Sequence, residues 1–263
     1  MKDEFKNNEN WSKRFLPHYN AENKFQMITY RLADSLPKKS LRLLENELGT
    51  PHSNTTMKPM PGAPHCKVGK TSLPGAPHSD AGMKAQYRKA VESILDQGHG
   101  SCLLQKPPIA NKVIEAWTYF DSKRYDLVAY VVMPNHVHVL IKTYEGFELG
   151  KTIWSWKRHV SKFVFENEEY SRVFEESMEK AFMGVLDSRA PKSKQRFLKP
   201  ASECGAPGKN NKGLWQREYW DRFIRDESHF NKAIEYIHMN PVKAGLVEHP
   251  EDLHWSSLDQ TSG

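Results

Sequence analysis

The chain has 263 residues, of which 38% are hydrophobic and 27% are charged, and its formal net charge is +6. No apolar run approaches the length of a membrane-spanning helix, and the three distant cysteines argue against a disulfide framework or a Cys-type zinc site. The N-terminus lacks the apolar stretch of a signal peptide, so a cytoplasmic location without membrane contact is expected. The basic balance is compatible with an anionic partner such as nucleic acid.

Residues 1–23 are predicted to be a polar arm, and residues 24–257 a single domain followed by a tail at 258–263. Two polar inserts are expected inside the domain, at about 49–82 and 167–212. The first contains two near-copies of one unit, "MPGAPHCKVG" and "LPGAPHSDAG", and has too few large apolar residues to bury a core. We therefore expect it to be disordered.

The remaining segments alternate between strand and helix patterns. "KFQMITYRL" predicts a first strand, and "MKAQYRKAVESILDQG" and "PPIANKVIEAWTYFD" predict helices. "RYDLVAYVVM" and "HVHVLIK" predict a hairpin closed by a tight "PN" turn, and "ELGKTIWSWKRHVSKFVFE" an amphipathic helix. "LWQREYWDRFIR" predicts the last strand and "DESHFNKAIEYIHMN" a helix that Asp226 caps and Pro241 ends. This order predicts an α+β, ferredoxin-like antiparallel sheet with helices on one face.

The second strand of the hairpin carries two histidines one residue apart. Side chains alternate along a strand, so His136 and His138 share one face while Val137 and Val139 point into a core on the other. Two adjacent imidazoles suit a divalent metal or a phosphate, although a His-x-His pair is also found in purely structural roles. The pair alone does not decide between these roles.

The last helix supplies two residues that would complete a reactive site. Tyr236 and Asn240 are four residues apart and therefore lie on one helical face. The Asn240 oxygen is a suitable ligand for Mg²⁺ or Mn²⁺, and with His136 and His138 it would leave coordination positions open. Tyr236 would then be the nucleophile, attacking a phosphate that the metal polarises. The alternatives are that Tyr236 is a core aromatic and Asn240 a helix terminator.

Several motifs together resemble a known family. "MPNHVHVLI", "LWQREYWDRFIRDE", "YIHMNPVKAGLV" and "HWSS" occur in this order. They resemble the single-tyrosine HUH transposases of small bacterial insertion sequences, most closely the REP-associated tyrosine transposases. The resemblance covers roughly residues 11–48, 83–168 and 213–257, and it implies the HUH endonuclease fold.

The resemblance also implies a reaction and roles for the site residues. His136 and His138 match the metal-binding histidines, Tyr236 the catalytic tyrosine, and Asn240 the polar residue that can complete the metal site. Members of the family attack single-stranded DNA, form a 5′-phosphotyrosine link and release a 3′-OH without a nucleotide cofactor. The expected partner is hairpin or palindromic repeat DNA, and a monomer is slightly favoured.

Two other functions remain open at this stage. One is a DNA-binding protein of the same fold that no longer cleaves, and the other is a zinc metallohydrolase that uses the His-x-His pair. For DNA contacts we expect basic residues on the helix after the hairpin and near the last strand, with tryptophan stacking on unpaired bases. The alternatives are a solvated surface for the basic residues and core packing for the tryptophan. The candidates are Lys157, Arg158, Trp215, Arg217, Arg222 and Arg225.

Overall fold

The structure of the protein is a computed structural model that describes residues 23–37, 40, 43, 44, 80–183 and 213–258. The predicted polar arm except residue 23, nearly all of the first insert and the second insert beyond residue 183 lie outside the described residues. The tail also lies outside them, apart from residue 258.

The described residues form a four-stranded antiparallel sheet in the order β2-β3-β1-β4. The hairpin β2–β3 lies at one side, and β1 lies between β3 and the short strand β4. The predicted α+β class and antiparallel sheet are therefore confirmed. The strands are β1 (Phe25–Arg31), β2 (Tyr125–Val132), β3 (His136–Thr143) and β4 (Trp220–Phe223).

Five α-helices accompany the sheet in the part of the chain that is described. Short 3₁₀ turns occur at Leu103–Gln105 and Pro250–Asp252. None of the helices in these residues combines the length and the apolar character needed to cross a membrane. The helices are α1 (Asp80–Leu95), α2 (Pro107–Thr118), α3 (Leu149–Glu166), α4 (Glu168–Met183) and α5 (Glu227–Lys243).

One side of the sheet, which we call the core face, carries the main hydrophobic core. Its strand residues are apolar or aromatic, and they pack against α2, α3 and α4. The centre of this core holds large rings from the helices, including Trp117 and Trp156, both almost completely buried. The strand residues of the core face include Ile28, Tyr30, Val137, Val139 and Ile141.

The opposite side, which we call the histidine face, is also covered by helices. Its residues Met27, Val131 and Leu140 pack against Ala233 and Ile237 of α5, and α1 lies over its β1–β4 part. The expectation that helices lie on one face is therefore wrong. The strand β3 is buried along nearly its whole length, which is the pattern of a strand covered on both sides.

The second predicted insert begins with a packed helix rather than a polar loop. Helix α4 places Phe174 and Met178 in the main core, and Tyr170 packs beside them. These residues recur at intervals of four, which is the spacing of one helical face. The high charge of this segment hid that pattern in the sequence.

Helix α5 continues past the proline that was expected to end it. Pro241 lies inside the helix, whose last residue is Lys243. Gly245, with φ of 68°, then ends it in a Schellman motif. The Gly245 N–H donates to the Val242 carbonyl and the Leu246 N–H donates to the Pro241 carbonyl. The motif "NPVKAGL" is thus the last turn and the cap of this helix.

Candidate active site

The two histidines of β3 lie together on the histidine face. The His136 and His138 rings are almost fully buried, and their centroids are 4.9 Å apart at an interplanar angle of 88°. This follows from the period of two along a strand. The antiparallel register places Thr29 of β1 directly opposite His138.

Each imidazole is oriented through its Nδ1 atom. The Nδ1 of His136 lies 2.8 Å from Asn135 Oδ1, and the Nδ1 of His138 lies 2.7 Å from Thr29 Oγ1. Asn135 is itself held because its Nδ2 donates to the Leu95 and His99 carbonyls at the end of α1. A carbonyl oxygen can only accept, so the neutral His136 ring carries its proton on Nδ1 and keeps the Nε2 lone pair available.

Both imidazoles are uncharged near neutral pH. Burial lowers the pKa of His136 to about 3, and the nearby Arg31 guanidinium acts in the same direction. Burial also lowers the pKa of His138, with a further contribution from His136. The neutral imidazole is the form that binds metals.

Helix α5 brings Tyr236 and Asn240 to the histidines. The Asp226 side chain caps the helix by accepting from the His229 N–H at 2.8 Å, as the sequence predicted. The Tyr236 ring lies 5.3 Å from the His138 ring, nearly perpendicular to it, and Asn240 is buried. All four residues predicted for the reactive site therefore converge at one place. His238 lies elsewhere, with its Nε2 2.8 Å from Ser257 Oγ.

The Tyr236 hydroxyl is protonated at neutral pH. Burial raises its pKa, and the negative charges of Glu92 and Asp96 raise it further. A hydrogen bond to the Glu92 carboxylate has the same effect, while the Asn240 side chain acts in the opposite direction. The Lys243 ammonium lies 5.3 Å from the ring centroid. Attack by this phenol therefore requires that its proton be accepted by a neighbouring group.

A polar stripe on α1, which the sequence analysis missed, faces the site. Arg88 and Glu92 lie on one face of the helix, four residues apart, and Asp96 follows directly after its last residue, with its N–H donating to the Glu92 carbonyl. Glu92 meets the Tyr236 hydroxyl, and Asp96 Oδ1 lies 3.8 Å from His136 Nε2. The spacing of these charged residues was visible in the sequence. Only the packing of α1 on the histidine face gives it a role.

The buried polar atoms of the site fit a divalent cation. His138 Nε2 and Asn240 Nδ2 are buried and have no hydrogen-bond partner among the described residues. Rotating the Asn240 amide by half a turn would place an oxygen where the nitrogen now lies, and the two assignments differ only in their hydrogen bonds. No three His, Cys, Asp or Glu side chains in this part of the chain could hold a metal together. A set of two imidazoles and one amide remains compatible with that finding.

Two of the predicted DNA contacts have roles on the core face instead. Lys157 donates to the Gln216 carbonyl at 2.9 Å and the Arg217 carbonyl at 3.3 Å, which holds the segment before β4. Trp215 is only 7% exposed, and its Nε1 donates to the Lys157 carbonyl. The prediction that Trp215 stacks on bases is therefore wrong, because its ring packs edge-on against Tyr30 in the core.

The other basic candidates are exposed. The Arg158 guanidinium lies 5.1 Å from the Trp154 ring, on the helix that packs against the core face. Arg217 and Arg225 flank β4. Arg222 lies on β4 opposite Met27 of β1 and so belongs to the histidine face. Arg222 therefore lies on the same face of the sheet as the site and lines a pocket with Thr29 and Glu92.

Known proteins support the resemblance drawn from the motifs, although no family model matches the chain. A Haemophilus influenzae protein named as a candidate REP-associated tyrosine transposase is 24% identical over 134 residues, 51% of this chain and 59% of that protein. The Escherichia coli K12 REP-associated tyrosine transposase is 34% identical over 47 residues, 18% of this chain and 28% of that protein. The chain thus spans less than two thirds of either relative. It is related in sequence to proteins of this name.

One solved structure is similar to the chain with a TM-score of 0.41 and 13% identity. The similarity covers 93% of this chain and 82% of that one. That structure is of a REP-associated tyrosine transposase bound to a REP hairpin.

Proposed function

We propose that this chain is a transposase-like, metal-dependent endonuclease and strand transferase that acts on single-stranded DNA, with hairpin repeats as its substrate class. The observation that carries the proposal is the convergence of Tyr236 and Asn240 of α5 with the paired histidines of β3. The names of the two sequence relatives support the same reaction class.

The metal set in this proposal is His136, His138 and Asn240, with Mg²⁺ or Mn²⁺ as the ion. A bound divalent cation would polarise a non-bridging phosphate oxygen and stabilise the charge that develops during attack. Its ligands would be the two Nε2 atoms and the Asn240 oxygen. Asn135 and Thr29 would fix the two rings, which keeps those atoms pointed into the site.

The nucleophile in this proposal is the Tyr236 hydroxyl oxygen. It attacks the phosphorus of a phosphodiester, so a phosphorus–oxygen bond to Tyr236 forms and the bond to the 3′ oxygen breaks. The phenolic proton moves to the Glu92 carboxylate, with which the hydroxyl is hydrogen-bonded. The departing 3′ oxygen takes a proton from solvent. The product is a 5′-phosphotyrosine link. The free 3′-OH can attack this link and reverse the step, or the 3′-OH of a second strand can attack it instead.

The test is the covalent link itself. Labelled hairpin DNA from the flanks of the gene is incubated with the protein and Mn²⁺ or Mg²⁺ and then separated on denaturing gels. We expect a DNA-linked protein band that is absent with EDTA and absent in Tyr236→Phe. The matched control is Tyr119→Phe, which alters an exposed tyrosine of the core-face side and should keep the band.

The alternative functions give different results in the same assay. A mobility shift on native gels without any covalent band would indicate a DNA-binding protein that does not cleave. Hydrolysis that leaves no protein–DNA link, depends on zinc and persists in Tyr236→Phe would indicate a zinc metallohydrolase. Either result would overturn the proposal.

A further inference from the structure

A small pocket opens on the histidine face beside the candidate active site. Its walls come from α1, β1 and β4, and include Arg88, Thr29, Trp220 and Arg222. Two of these residues are arginines, one from a helix and one from an edge strand. The sequence analysis singled out Arg222 but not Arg88.

The two guanidinium groups lie close enough to repel each other. Burial lowers the pKa of Arg88, and the positive charge of Arg222 lowers it further. Glu92 and Asp221 also line the pocket and partly offset this charge. The Glu92 carboxylate is shared with the Tyr236 hydroxyl, so it does not serve the arginines alone. An anion between the two guanidinium groups would relieve the repulsion.

The geometry of a phosphate matches these two groups. Each guanidinium presents five N–H donors in a planar fork that pairs with two phosphate oxygens at once. A phosphodiester carries one negative charge on two equivalent oxygens, so the two forks can hold it from two sides. Trp220 is half-buried beside Arg222, where an unpaired base attached to that phosphate can stack on its ring.

The pocket adjoins the reacting groups. Thr29 and Glu92 both line the pocket; Thr29 is hydrogen-bonded to His138, and Glu92 is hydrogen-bonded to Tyr236. A phosphate held by Arg88 and Arg222 would therefore be a neighbour, along the strand, of the phosphodiester that Tyr236 attacks. Contacts of this kind set the register of a nucleic acid without reading its sequence.

We propose that Arg88 and Arg222 form a phosphate-binding pocket that holds the DNA backbone next to the cleaved bond and so places that bond at Tyr236. This inference rests on the proposed function, because it assumes that single-stranded DNA is the substrate. It adds a binding site on α1 and β4 that is separate from the metal ligands. It also assigns a role to the first charged residue of the α1 stripe.

The experiment removes one phosphate charge at a time. Hairpin oligonucleotides carry a single neutral methylphosphonate at each position around the cleaved bond, and affinity is measured by fluorescence anisotropy. The protein used is the Tyr236→Phe variant, which binds the DNA but lacks the nucleophile needed to cleave it. We expect roughly a tenfold loss of affinity at one position adjacent to the cleaved bond, the size of one good charged contact.

The arginine variants connect that position to the pocket. In Arg88→Ala and Arg222→Ala, each on the Tyr236→Phe background, unmodified DNA should bind roughly tenfold more weakly. The methylphosphonate should then cause a smaller further loss than in the parent, because only one of the two arginines still contacts that phosphate. The slope of log affinity against log salt should fall by about 0.7, the value for one phosphate on a single strand. Arg172→Ala removes the same charge from an exposed position of α4 and should keep the full sensitivity.

Other outcomes overturn the inference or separate it from the proposed function. If Arg88→Ala and Arg222→Ala lower the melting temperature yet retain the full sensitivity at the same phosphate, the arginines only stabilise the fold. If Arg88→Ala does not fold, the result for Arg222→Ala, whose arginine is exposed on the edge strand, tests the inference by itself. A covalent adduct without any phosphate-specific loss refutes the pocket alone. Phosphate-specific loss that depends on the arginines, with no adduct, refutes the nuclease proposal and leaves the pocket standing.

Discussion

The two faces of the sheet bury aromatic rings in opposite ways. On the core face the polar atoms of the rings are paired: Trp117 Nε1 donates to Tyr30, and Trp156 Nε1 donates to Tyr125. The Tyr125 hydroxyl in turn donates to the Trp117 carbonyl. On the histidine face the Nε2 atom of His138 is buried without a partner among the described residues. The aromatic rings of the core face complete their hydrogen bonds within the protein, whereas the histidine face leaves buried polar atoms of His138 and Asn240 for a ligand.

This difference separates stability from function within one sheet. A buried polar group without a partner costs about 1–3 kcal/mol, so such a group calls for an explanation, and ligand binding is one. The core face should therefore carry most of the stability and respond strongly to truncation. Truncating a side chain of the histidine face should change the free energy of unfolding little but should abolish ligand binding. The predictions below test this contrast in order of decreasing effect.

Truncating a ring of the core face should have the largest effect on stability. Trp156 is 1% exposed and packs edge-on against Trp117 and Tyr125. Trp156→Ala should lower the free energy of unfolding by about 3–5 kcal/mol, because it leaves a large cavity. Urea denaturation followed by fluorescence measures this change.

The matched control lies two residues away on the same helix. Trp154 is 48% exposed, so Trp154→Ala should cost less than about 1 kcal/mol. Equal losses in the two variants would show that the core face does not dominate stability.

Removing one imidazole should affect ligand binding more than folding. In metal-free protein, His138→Leu should change the free energy of unfolding by less than about 1.5 kcal/mol, because the loss of a buried polar atom offsets the loss of the Thr29 hydrogen bond. Mn²⁺ at one hundred times its dissociation constant should stabilise the unaltered protein by about 2.7 kcal/mol. That stabilisation should be absent in His138→Leu, as measured by thermal melts with and without Mn²⁺.

An exposed histidine provides the control for this prediction. His159 lies on α3 beside Glu115, away from the histidine face. His159→Leu should keep the full stabilisation by Mn²⁺. If His138→Leu also keeps it, His138 is not a metal ligand and the open Nε2 atom has another explanation.

The sequence predicted the residues of the site better than their surroundings. The period of two put His136 and His138 on one side of a strand, and the period of 3.6 put Tyr236 and Asn240 on one side of a helix. Both statements concern neighbours along the chain, and the structure agrees with them. That the two pairs meet was suggested only by the motif resemblance, since periodicity does not say which elements pack together.

The missed features all depend on long-range packing. The α1 stripe faces the site because Asn135, in the hairpin turn, donates to the carbonyls of Leu95 and His99 at the end of α1. These partners are 40 and 36 residues away from it along the chain. Trp215 resembled a residue for base stacking, and only the position of Tyr30 shows that it belongs to the core. Helix α4 was missed because its charged residues outnumber the few apolar ones on its buried face.

At alkaline pH, a buried tyrosine of the core face and a solvent-exposed tyrosine should contribute differently to the free energy of unfolding. This is the smallest of the three predicted effects. Burial raises the pKa of Tyr30, while the hydrogen bond from Trp117 lowers it less than burial raises it. An acid whose pKa is higher in the folded state is protonated there after the unfolded chain has begun to lose its proton, near pH 10. Its stabilising contribution is therefore present below pH 10 and is lost as the pH rises.

The loss should approach about 1.4 kcal/mol per pH unit for one tyrosine above pH 10. Tyr30→Phe removes this group, so the free energy of unfolding should fall less steeply between pH 10 and 11.5, although the variant starts lower because Trp117 Nε1 loses its acceptor. Tyr119→Phe, whose tyrosine is 64% exposed, should leave the slope unchanged. Urea titrations at several pH values give both slopes. Identical slopes in the two variants would mean that Tyr30 ionises as freely in the folded protein as in the unfolded chain, and the core face would then not be the sealed layer that its hydrogen bonds indicate.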